Sequence, residues 1–313
     1  MNGILNINKP SGMTSHDVVA LLRRLLDEKK AGHTGTLDPD ATGVLVICLG
    51  KATRIIQFLE DDEKGYSGTI ILGIATDTLD AKGKIIRAIS SYDIEPESII
   101  QAFNSFIGEI DQIPPMVSAI KVHGKRLYKI ARQGETIERK ARKVNIYNLE
   151  INGIYKEAVS FINSPGLFTK VDFSVTCSRG TYVRTLASDI GDSLGTGACL
   201  SGLVRTKSGM FKLEDSISLD RVKENALNAN HALQSIDESL SYLPRVVISD
   251  SAAKRFSNGN SIDESEIIMR EASCDISEKP IRIYNRTGLL LGIGKASKLD
   301  AGSTIYRALK VLN

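Results

Sequence analysis

The chain has 313 residues, of which 42% are hydrophobic and 25% are charged, and its formal net charge is +3. A composition of this kind is typical of a soluble globular protein, and the length favours two domains over one. No apolar run approaches the roughly 20 residues that span a bilayer. The first residues also lack the basic and apolar regions of a signal peptide. We therefore expect neither a membrane span nor secretion.

The cysteines and histidines are too dispersed to suggest a metal site. Cys48, Cys177, Cys199 and Cys274 are widely spaced and include no C-x-x-C pair, and the four histidines are equally scattered. Structural zinc sites and disulfide frameworks both need closely patterned side chains. The sequence therefore predicts a cytoplasmic protein with no metal.

The hydrophobic periodicity of the N-terminal part predicts short strands mixed with amphipathic helices. In chain order, we expect a strand at 3–10, a helix capped by Thr14 or Ser15, a buried strand at 44–48, a short helix at 51–59, a strand at 65–74, a helix at 97–107 with Ile99, Ile100, Phe103, Phe106 and Ile107 on its apolar face, strands at 118–122, 144–151, 158–162 and 169–177, and a helix opening at 180–186 and running to about 194. Without strict βαβ alternation, this order indicates an α+β fold whose mixed, largely antiparallel sheet is flanked by helices and loops.

The character of the sequence changes near residues 242–244. Beyond this point the pattern predicts a short helix at 251–256, a turn at Gly259, and strands at 281–284, 289–293 and 304–311. Short strands joined by tight turns over about 70 residues are typical of a small β-barrel. We therefore expect one domain over residues 1–243 and a second over residues 244–313.

A polar loop with several glycines, residues 32–43, precedes the buried strand and is the main candidate for a functional segment. Asp38 is followed by Pro39, which pushes the aspartate backbone toward extended conformations and fixes the direction of its side chain. Gly35 and Gly43 permit a positive φ or a close approach of a ligand to the backbone. Taken alone, an Asp-Pro pair is more typical of an ordinary turn.

Positive charge is concentrated in residues 121–143, the basic segment. It contains nine Lys or Arg against Glu135 and Glu138, a net charge of +7, whereas the other 290 residues sum to −4. His123 and Tyr128 are interleaved with these cations. The pattern indicates either a surface that binds a polyanion or a solvated face.

Several motifs, in a fixed order over most of residues 3–211, resemble those of the TruB family of tRNA pseudouridine synthases. The loop fits the family pattern G-H-x-G-x-L-D-P-x-A-x-G, and the other matching segments are 3–5, 8–10, 12–15, 50–54, 64–66, 114–116, 118–121, 124–128, 178–184, 197–198 and 203–209. The resemblance implies isomerisation of the T-loop uridine (uridine 55) of tRNA to pseudouridine, by a monomer that needs no cofactor. The last 70 or so residues look like the RNA-binding PUA module that follows this catalytic domain.

The resemblance also implies three catalytic residues. Asp38 matches the catalytic aspartate, an ionised carboxylate that acts as nucleophile or stabilises a sugar-centred cation. Arg184 matches the arginine that pairs with this aspartate and keeps it ionised and oriented. Tyr66 matches the active-site tyrosine, whose ring can stack on an extruded base while its hydroxyl exchanges a proton.

Substrate contacts are implied for a second set of residues: His33, Lys9, Tyr182, Lys121, Arg126, Arg132 and Leu203. In this set, His33 would contact the nucleotide displaced from the RNA loop and Tyr182 would form a pocket wall. Lys9 would brace the catalytic loop without making or breaking bonds. The cations of the basic segment would clamp the phosphates of the tRNA T arm.

The chain departs from the family pattern at Val117, where a Tyr is usual, at Cys199, where a His is usual, and at Val204, where an Arg is usual. We expect all three to line the substrate side. Two other function classes stay open from the residues alone. A non-catalytic RNA-binding or chaperone protein would not need the three catalytic side chains. A phosphotransferase with an aspartyl phosphate would need further acidic residues for Mg²⁺, for which Asp40 alone is a poor candidate.

Overall fold

The computed structural model describes residues 1–59, 63–89, 94–118, 120–122, 124–131, 133–159, 167–271, 279–298 and 304–312, with the backbone alone at 121–122, 125–126 and 128–129. Within these ranges, no helix is both long enough and apolar enough to cross a membrane.

Strands and short helices alternate irregularly along the chain. Up to residue 243 they are β1 (Gly3–Lys9), α1 (Ser15–Leu25), β2 (Ala31–His33), β3 (Thr42–Leu49), a 3₁₀ helix (Gly50–Ile55), α2 (Ile56–Leu59), β4 (Glu63–Leu72), β5 (Ile74–Thr76), β6 (Ile85–Ala88), α3 (Pro96–Asn104), β7 (Gly108–Gln112), β8 (Lys121–Val122), β9 (Lys125–Arg126), α4 (Leu127–Ala131), β10 (Arg142–Ala158), β11 (Leu167–Ser178), α5 (Val183–Ser193), β12 (Ala198–Ser208), β13 (Phe211–Lys212), β14 (Ile217–Ser218), α6 (Leu219–Glu224), α7 (Ala226–His231) and α8 (Ile236–Ser239). The remaining elements are β15 (Arg245–Ile248), α9 (Asp250–Ser257), β16 (Ile262–Asp263), a 3₁₀ helix (Glu264–Glu266), β17 (Ile267–Arg270), β18 (Pro280–Tyr284), β19 (Leu290–Lys298) and β20 (Thr304–Val311).

The larger sheet has ten strands in the described part of the chain. Its path runs β14-β1-β3-β12-β4-β11-β10-β7, with β13 beside β12 and β2 beside β3. The pairs β1–β14 and β3–β12 are parallel, and the other pairs are antiparallel. This mixed, largely antiparallel sheet confirms the predicted α+β class.

Strand β3 is apolar along almost its whole length because both of its faces are covered. Leu45 and Ile47 pack with the apolar face of α1, whereas Val44 and Val46 join a second cluster on the opposite face. The helix α1 begins, as predicted, at an N-cap threonine, Thr14, whose capping box fixes the direction of the chain. The loop that precedes β3 is therefore held between a rigid strand and a capped helix.

Helix α5 covers the other half of the sheet. Leu186 and Ile190 pack against Phe173 and Val175 of β11 in one buried cluster. The helix begins just after Gly180, whose φ of +83° turns the chain out of β11. Residues in the first turn of α5 therefore lie at the edge of the sheet.

Three of the predicted strands, 144–151, 158–162 and 118–122, differ from those observed. The segment 144–151 belongs to a single strand of 17 residues, β10, which pairs with β11 as far as Ala158 across two register shifts. The predicted strand at 158–162 is therefore the end of β10 as far as residue 158, and its residues 160–162 lie outside the described residues. The strand predicted at 118–122 is reduced to β8.

The prediction for α3 was wrong in part. This helix ends at Asn104 and buries Ile99 and Phe103, whereas Ile100 and Ile107 are exposed. The packed face consists of Ile99, Ala102 and Phe103, with Phe106 just beyond the helix, whereas Ile100 and Ile107 lie off this face.

The smaller sheet has the strand order β16-β20-β19-β18-β15-β17 and curls into a half-barrel, as expected for the C-terminal part. Its Ile293 and Leu312 pack into the cluster that contains Val44 and Val46 of β3. Arg282 adds a polar contact, since its Nη1 lies 2.9 Å from a carboxylate oxygen of Asp237 in α8. The smaller sheet thus contacts the larger sheet through apolar side chains and helix α8 through an ion pair. The boundary predicted between residues 243 and 244 falls in the turn between α8 and β15.

Candidate active site

A cleft of about 620 Å³ opens where the loop before β3 meets β4, β12 and the first turn of α5. Among the described residues that line it, six are cationic, namely Lys64, Arg142, Lys143, Arg179, Arg184 and Arg205, and one is acidic, Asp38. The remaining wall is formed by Thr34, Gly35, Thr36, Leu37, Tyr66, Val117, Ser118, Val144, Gly180, Thr181, Tyr182, Val183 and Leu203. A concave surface with this excess of positive charge attracts polyanions.

The loop that carries Asp38 is tied down on both sides of that residue. The Ser15 hydroxyl accepts the N–H of Leu37 at 2.8 Å and donates to its carbonyl at 3.1 Å. The Lys9 ammonium donates to the Pro39 carbonyl at 2.9 Å and to two carbonyls in the turn after β1. Burial lowers the pKa of Lys9 to about 8. The Lys9 side chain is fully buried beneath the loop and lies outside the wall of the cleft.

Asp38 and Arg184 form a two-pronged ion pair at the floor of the cleft. Arg184 Nε lies 2.9 Å from one carboxylate oxygen, and its Nη2 lies 3.3 Å from the other. The arginine side chain is 6% exposed, whereas that of Asp38 is 44% exposed. The guanidinium is thus fixed in the protein, and the carboxylate that it holds faces the cleft. This fork geometry gives an arginine–carboxylate pair its orientation.

Further contacts hold Arg184 from behind. Its Nη2 donates to the Val117 carbonyl at 2.8 Å, and its Nη1 donates to the Thr78 carbonyl at 3.1 Å. Asp80 places a carboxylate oxygen 3.5 Å from the same Nη1. Arg184 therefore has two acidic neighbours, of which only Asp38 lines the cleft.

The ionisation of Asp38 is subject to opposing influences. Burial raises the pKa of Asp38, the positive charge of Arg184 lowers it, and the negative charge of Asp80 raises it again. The net direction is upward. A pKa perturbed by burial together with a specific charged partner in a cleft is typical of a functional carboxylate.

Tyr66, Tyr182 and Leu203 form the apolar part of the wall. Tyr66 lies on β4 and packs between two core clusters, and burial raises the pKa of its hydroxyl. Tyr182 immediately precedes α5, and its N–H donates to the Gln112 side chain at 2.7 Å. The aromatic rings and Leu203 offer flat surfaces of the kind on which a nucleobase stacks.

His33 lies at the end of β2, opposite Ile47 of β3, and outside the wall of the cleft. Burial and the charge of Arg205 lower the pKa of His33, so this imidazole is predominantly neutral at pH 7. Of the predicted site residues, the structure thus brings Asp38, Arg184, Tyr66, Tyr182 and Leu203 together in one wall. Lys9 and His33 lie behind it.

The basic segment reaches the cleft through its C-terminal end. Arg142 and Lys143 line the cleft, and Lys143 also pairs with the exposed Glu109 at 2.6 Å. Lys121 and Arg126 pair with each other in the backbone of the β8–β9 hairpin. Arg132, and also His123, lie outside the described residues.

Sequence reasoning missed two residues of the site. Asp80 lies in the connection after β5 and contacts Arg184, and Arg205 lies on β12 beneath the Asp38 loop. Asp80 had no signal of its own. Arg205 belonged to a matched motif, but only its burial in the structure distinguishes it from a surface cation.

The three departures from the family pattern do not share one environment. Val117 lines the cleft, as expected. Cys199 is fully buried in an apolar cluster with Ile71 and Phe168, so the expectation that it lines the substrate side was wrong. Val204 is half-buried and outside the wall of the cleft. The physical reason is that both faces of β12 are covered at this point, with Ala198 and Leu200 in one apolar cluster and Cys199 in another.

Solved structures with the same architecture define the class of protein. The chain is similar to a solved Cbf5–Nop10–Gar1 complex, with 30% identity and a TM-score of 0.73, covering 99% of this chain and 85% of the other. It is equally similar to an H/ACA ribonucleoprotein bound to a substrate RNA containing 2′-deoxyuridine, with 28% identity, a TM-score of 0.72 and the same coverage. The fold is therefore that of the pseudouridine synthases.

The sequence comparisons narrow this class. Residues 23–183 match the TruB family pseudouridylate synthase N-terminal domain, and residues 184–249 match the tRNA pseudouridylate synthase B C-terminal domain. A tRNA pseudouridine synthase B of Clostridium tetani is 41% identical over 298 residues, 95% of this chain and 96% of the relative. One of Geobacillus kaustophilus is 50% identical over 266 residues, 83% of this chain and 90% of the relative. The chain belongs to the TruB family of pseudouridine synthases, as its motifs predicted, and is an isomerase.

Proposed function

We propose that this protein converts the T-loop uridine 55 of tRNAs to pseudouridine, with Asp38 as the reacting carboxylate. The observation that carries the proposal is the Asp38–Arg184 pair, whose carboxylate faces a cationic cleft while its arginine is buried. The relatives named tRNA pseudouridine synthase B support tRNA as the substrate.

The reaction breaks the C1′–N1 bond and joins C1′ to C5 of the same base, with no redox step and no external group donor. An ionised carboxylate can attack the nucleotide or stabilise positive charge on the sugar as the bond breaks. Arg184 keeps Asp38 charged and aims it into the cleft. The proposal therefore assigns bond chemistry to Asp38 and orientation to Arg184.

Tyr66 has two roles in this proposal. Its ring holds the detached base by stacking while the base rotates to present C5. Its oxygen, on the wall of the cleft that also holds Asp38, loses its own proton to water and, as the phenolate, receives the proton that leaves C5. Tyr182 and Leu203 complete the apolar surface against which the base is held.

A uridine stacked in a folded RNA cannot reach Asp38, so the base must be extruded into the cleft. Enzymes that act on bases generally take them out of the stack, and proteins read RNA mainly through unpaired loops and shape. We assign the phosphates of the T arm to the basic segment, which ends at the cleft with Arg142 and Lys143.

The smaller sheet is proposed as a PUA-like module that holds another part of the tRNA. We propose that the protein acts as a monomer and without a cofactor.

The test is tritium release from tRNA transcripts tritiated at C5 of uridine, followed by mapping of the modified position. The expected result is one equivalent released per tRNA, with pseudouridine only in the T loop. A transcript with cytidine at that position is the matched control and should release nothing. Release from another position would refute the target, and no release at all would refute the activity.

A further inference from the structure

Arg205 is the most deeply buried cation in the wall of the cleft, with 2% of its surface exposed. In the described part of the chain, no carboxylate lies within ion-pair distance of its guanidinium. A buried charge without a counter-ion is costly unless hydrogen bonds compensate for the lost water. The hydrogen bonds of Arg205 therefore indicate the role of this buried charge.

The guanidinium of Arg205 ties together the two ends of the Asp38 loop. Its Nε donates to the Val44 carbonyl at 2.6 Å, and its Nη2 donates to the Gly35 carbonyl at 3.2 Å. A longer contact joins Nη1 to the Thr36 carbonyl at 3.4 Å. These acceptors precede and follow Asp38, so one side chain brackets the reacting residue.

The backbone of Arg205 is held by strands on both sides. It pairs with Gly43 of β3 on one side and with Tyr66 of β4 on the other. The approach to β3 is so close that a Cβ added at Gly43 would lie 2.3 Å from the Arg205 carbonyl oxygen. Arg205 therefore stands at a fixed position between the Asp38 loop and Tyr66.

The same guanidinium acts on the Tyr66 hydroxyl. Burial raises the pKa of Tyr66, and the charge of Arg205 is the largest influence that opposes this rise. Both the charge of Arg205 and a hydrogen bond from its side chain lower the pKa of Tyr66. Arg205 thus influences both proposed reacting groups, Asp38 through its loop and Tyr66 through the pKa of its hydroxyl.

We propose that Arg205 is a positioning residue that fixes the Tyr66 hydroxyl relative to the Asp38 loop and supplies the positive charge against which that hydroxyl gives up its proton. The inference rests on the proposed function. In this step the C1′–C5 bond has already formed. Tyr66 first loses its hydroxyl proton to water, and the resulting phenolate oxygen takes the proton from C5. The electrons of the C5–H bond restore the double bond of the base, and Tyr66 is a neutral phenol again, so one proton in all has passed to water.

The test is a double-mutant cycle with Arg205→Gln, Arg205→Lys and Tyr66→Phe, measured as single-turnover rates across pH. Arg205→Gln should lower the rate by about 10²-fold at neutral pH, the size of a general-base contribution. The pH–rate profile should have a rising limb set by Tyr66, at higher pH than the acidic limb set by Asp38, and Arg205→Gln should move the Tyr66 limb to still higher pH, because removing the positive charge raises the pKa of Tyr66 further. Arg205→Lys keeps the charge but loses the fork to the loop carbonyls, so its rate falls while its limb stays near that of the wild type.

In the Tyr66→Phe background, we expect Arg205→Gln to cost less than about threefold beyond the single variant, because residues that act through one another are not additive. Equal losses in both backgrounds, or identical limbs for the Gln and Lys variants, would overturn the proposal and leave only a structural clamp.

Urea unfolding checks that each variant is folded. If Arg205→Gln fails to fold, the pH–rate profile of Arg205→Lys is the test. A rising limb of that variant at higher pH than in the wild type would overturn the proposal. An inactive wild type would refute the proposed function, whereas an active wild type with additive variants would refute only the role of Arg205.

Discussion

Asp38 and Arg184 meet at the floor of the cleft, where burial and charge act in opposite directions on one ionisation. Burial raises the pKa of Asp38, whereas the guanidinium 2.9 Å away lowers it. Asp80 adds a second negative charge, which raises the pKa again but also holds Arg184 in place. Because the proposed chemistry needs the ionised carboxylate, Arg184 sets the pH at which the site becomes competent.

Asp38→Asn should leave folding and tRNA binding nearly intact while removing turnover. The amide has the shape of the carboxylate but is uncharged and weakly nucleophilic, so we expect a loss beyond ~10³-fold, or ~4 kcal/mol of barrier. Single-turnover tritium release measures this loss. Asp40→Asn is the matched control, since Asp40 lies in the same loop but outside the wall of the cleft, and it should keep most of the activity. An Asp38→Asn rate within tenfold of wild type would contradict the assignment.

The acidic limb of the rate profile should respond to the charges around Asp38 with opposite signs. Arg184→Met removes a charge that lowers the pKa of Asp38, so the pKa rises and the limb moves to higher pH. Asp80→Asn removes a charge that raises it, so the limb moves to lower pH. Arg142→Met, also on the wall of the cleft, should leave the limb where it is. Single-turnover rates across pH measure these positions, and a limb unmoved by Arg184→Met would refute this account.

Substitutions at Tyr66 should separate stacking from proton transfer. Tyr66→Phe keeps the ring and loses the hydroxyl, so turnover should fall ~10²–10⁴-fold with binding unchanged. Tyr66→Leu loses the ring as well and should weaken binding by a further ~1–3 kcal/mol. Titration of tRNA binding alongside single-turnover rates distinguishes the two losses. Near-normal rates in both variants would remove Tyr66 from the site.

At the scale of elements, the sequence predicts structure well wherever burial follows a regular pattern, either an unbroken apolar run or a periodic stripe. Strand β3 is an unbroken apolar run because both of its faces are covered, and α5 shows a helical stripe because one face packs on the sheet. No regular pattern in the sequence predicts the burial of Arg205. The carbonyls that accept its hydrogen bonds lie 161 to 170 positions away in the chain. Cys199 was misplaced because the face of β12 that carries it is covered by residues distant in the chain, Ile71 and Phe168.

The basic segment is an element whose role depends on charge, so salt should reveal it. Charge reversal at Arg126, Arg132 and Lys140 together should weaken tRNA binding with little change in saturated turnover. Each lost phosphate contact should flatten the log–log salt dependence of binding by roughly 0.7–0.9. Reversal at three exposed cations outside the basic segment, Arg24, Lys29 and Arg221, makes the same change in net charge and is the control for net charge alone. An unchanged slope in the triple variant would indicate a solvated face.

At the scale of the whole molecule, the two sheets share one apolar cluster. Ile293 and Leu312 of the smaller sheet region pack against Val44 and Val46 of β3. The loop with Asp38 leads into the same end of β3, which begins at Thr42, two residues before Val44. The C-terminal region therefore supports the catalytic strand mechanically, in addition to the RNA surface that we propose for it.

Deleting residues 245–313 should separate these two contributions. The motifs of the cleft all precede residue 212, so the truncated protein should keep the chemical step, with the lost RNA surface appearing as a higher KM. Losing Ile293 and Leu312 from the shared cluster should also lower the free energy of unfolding by about 4 kcal/mol, taking ~2 kcal/mol for each large aliphatic side chain. Urea unfolding and steady-state kinetics measure the two effects. Ile293→Ala in the full chain is the control, because it should lose stability while keeping the KM of the wild type. A truncated protein that is folded but inactive at saturating tRNA would show that the C-terminal region takes part in the chemical step.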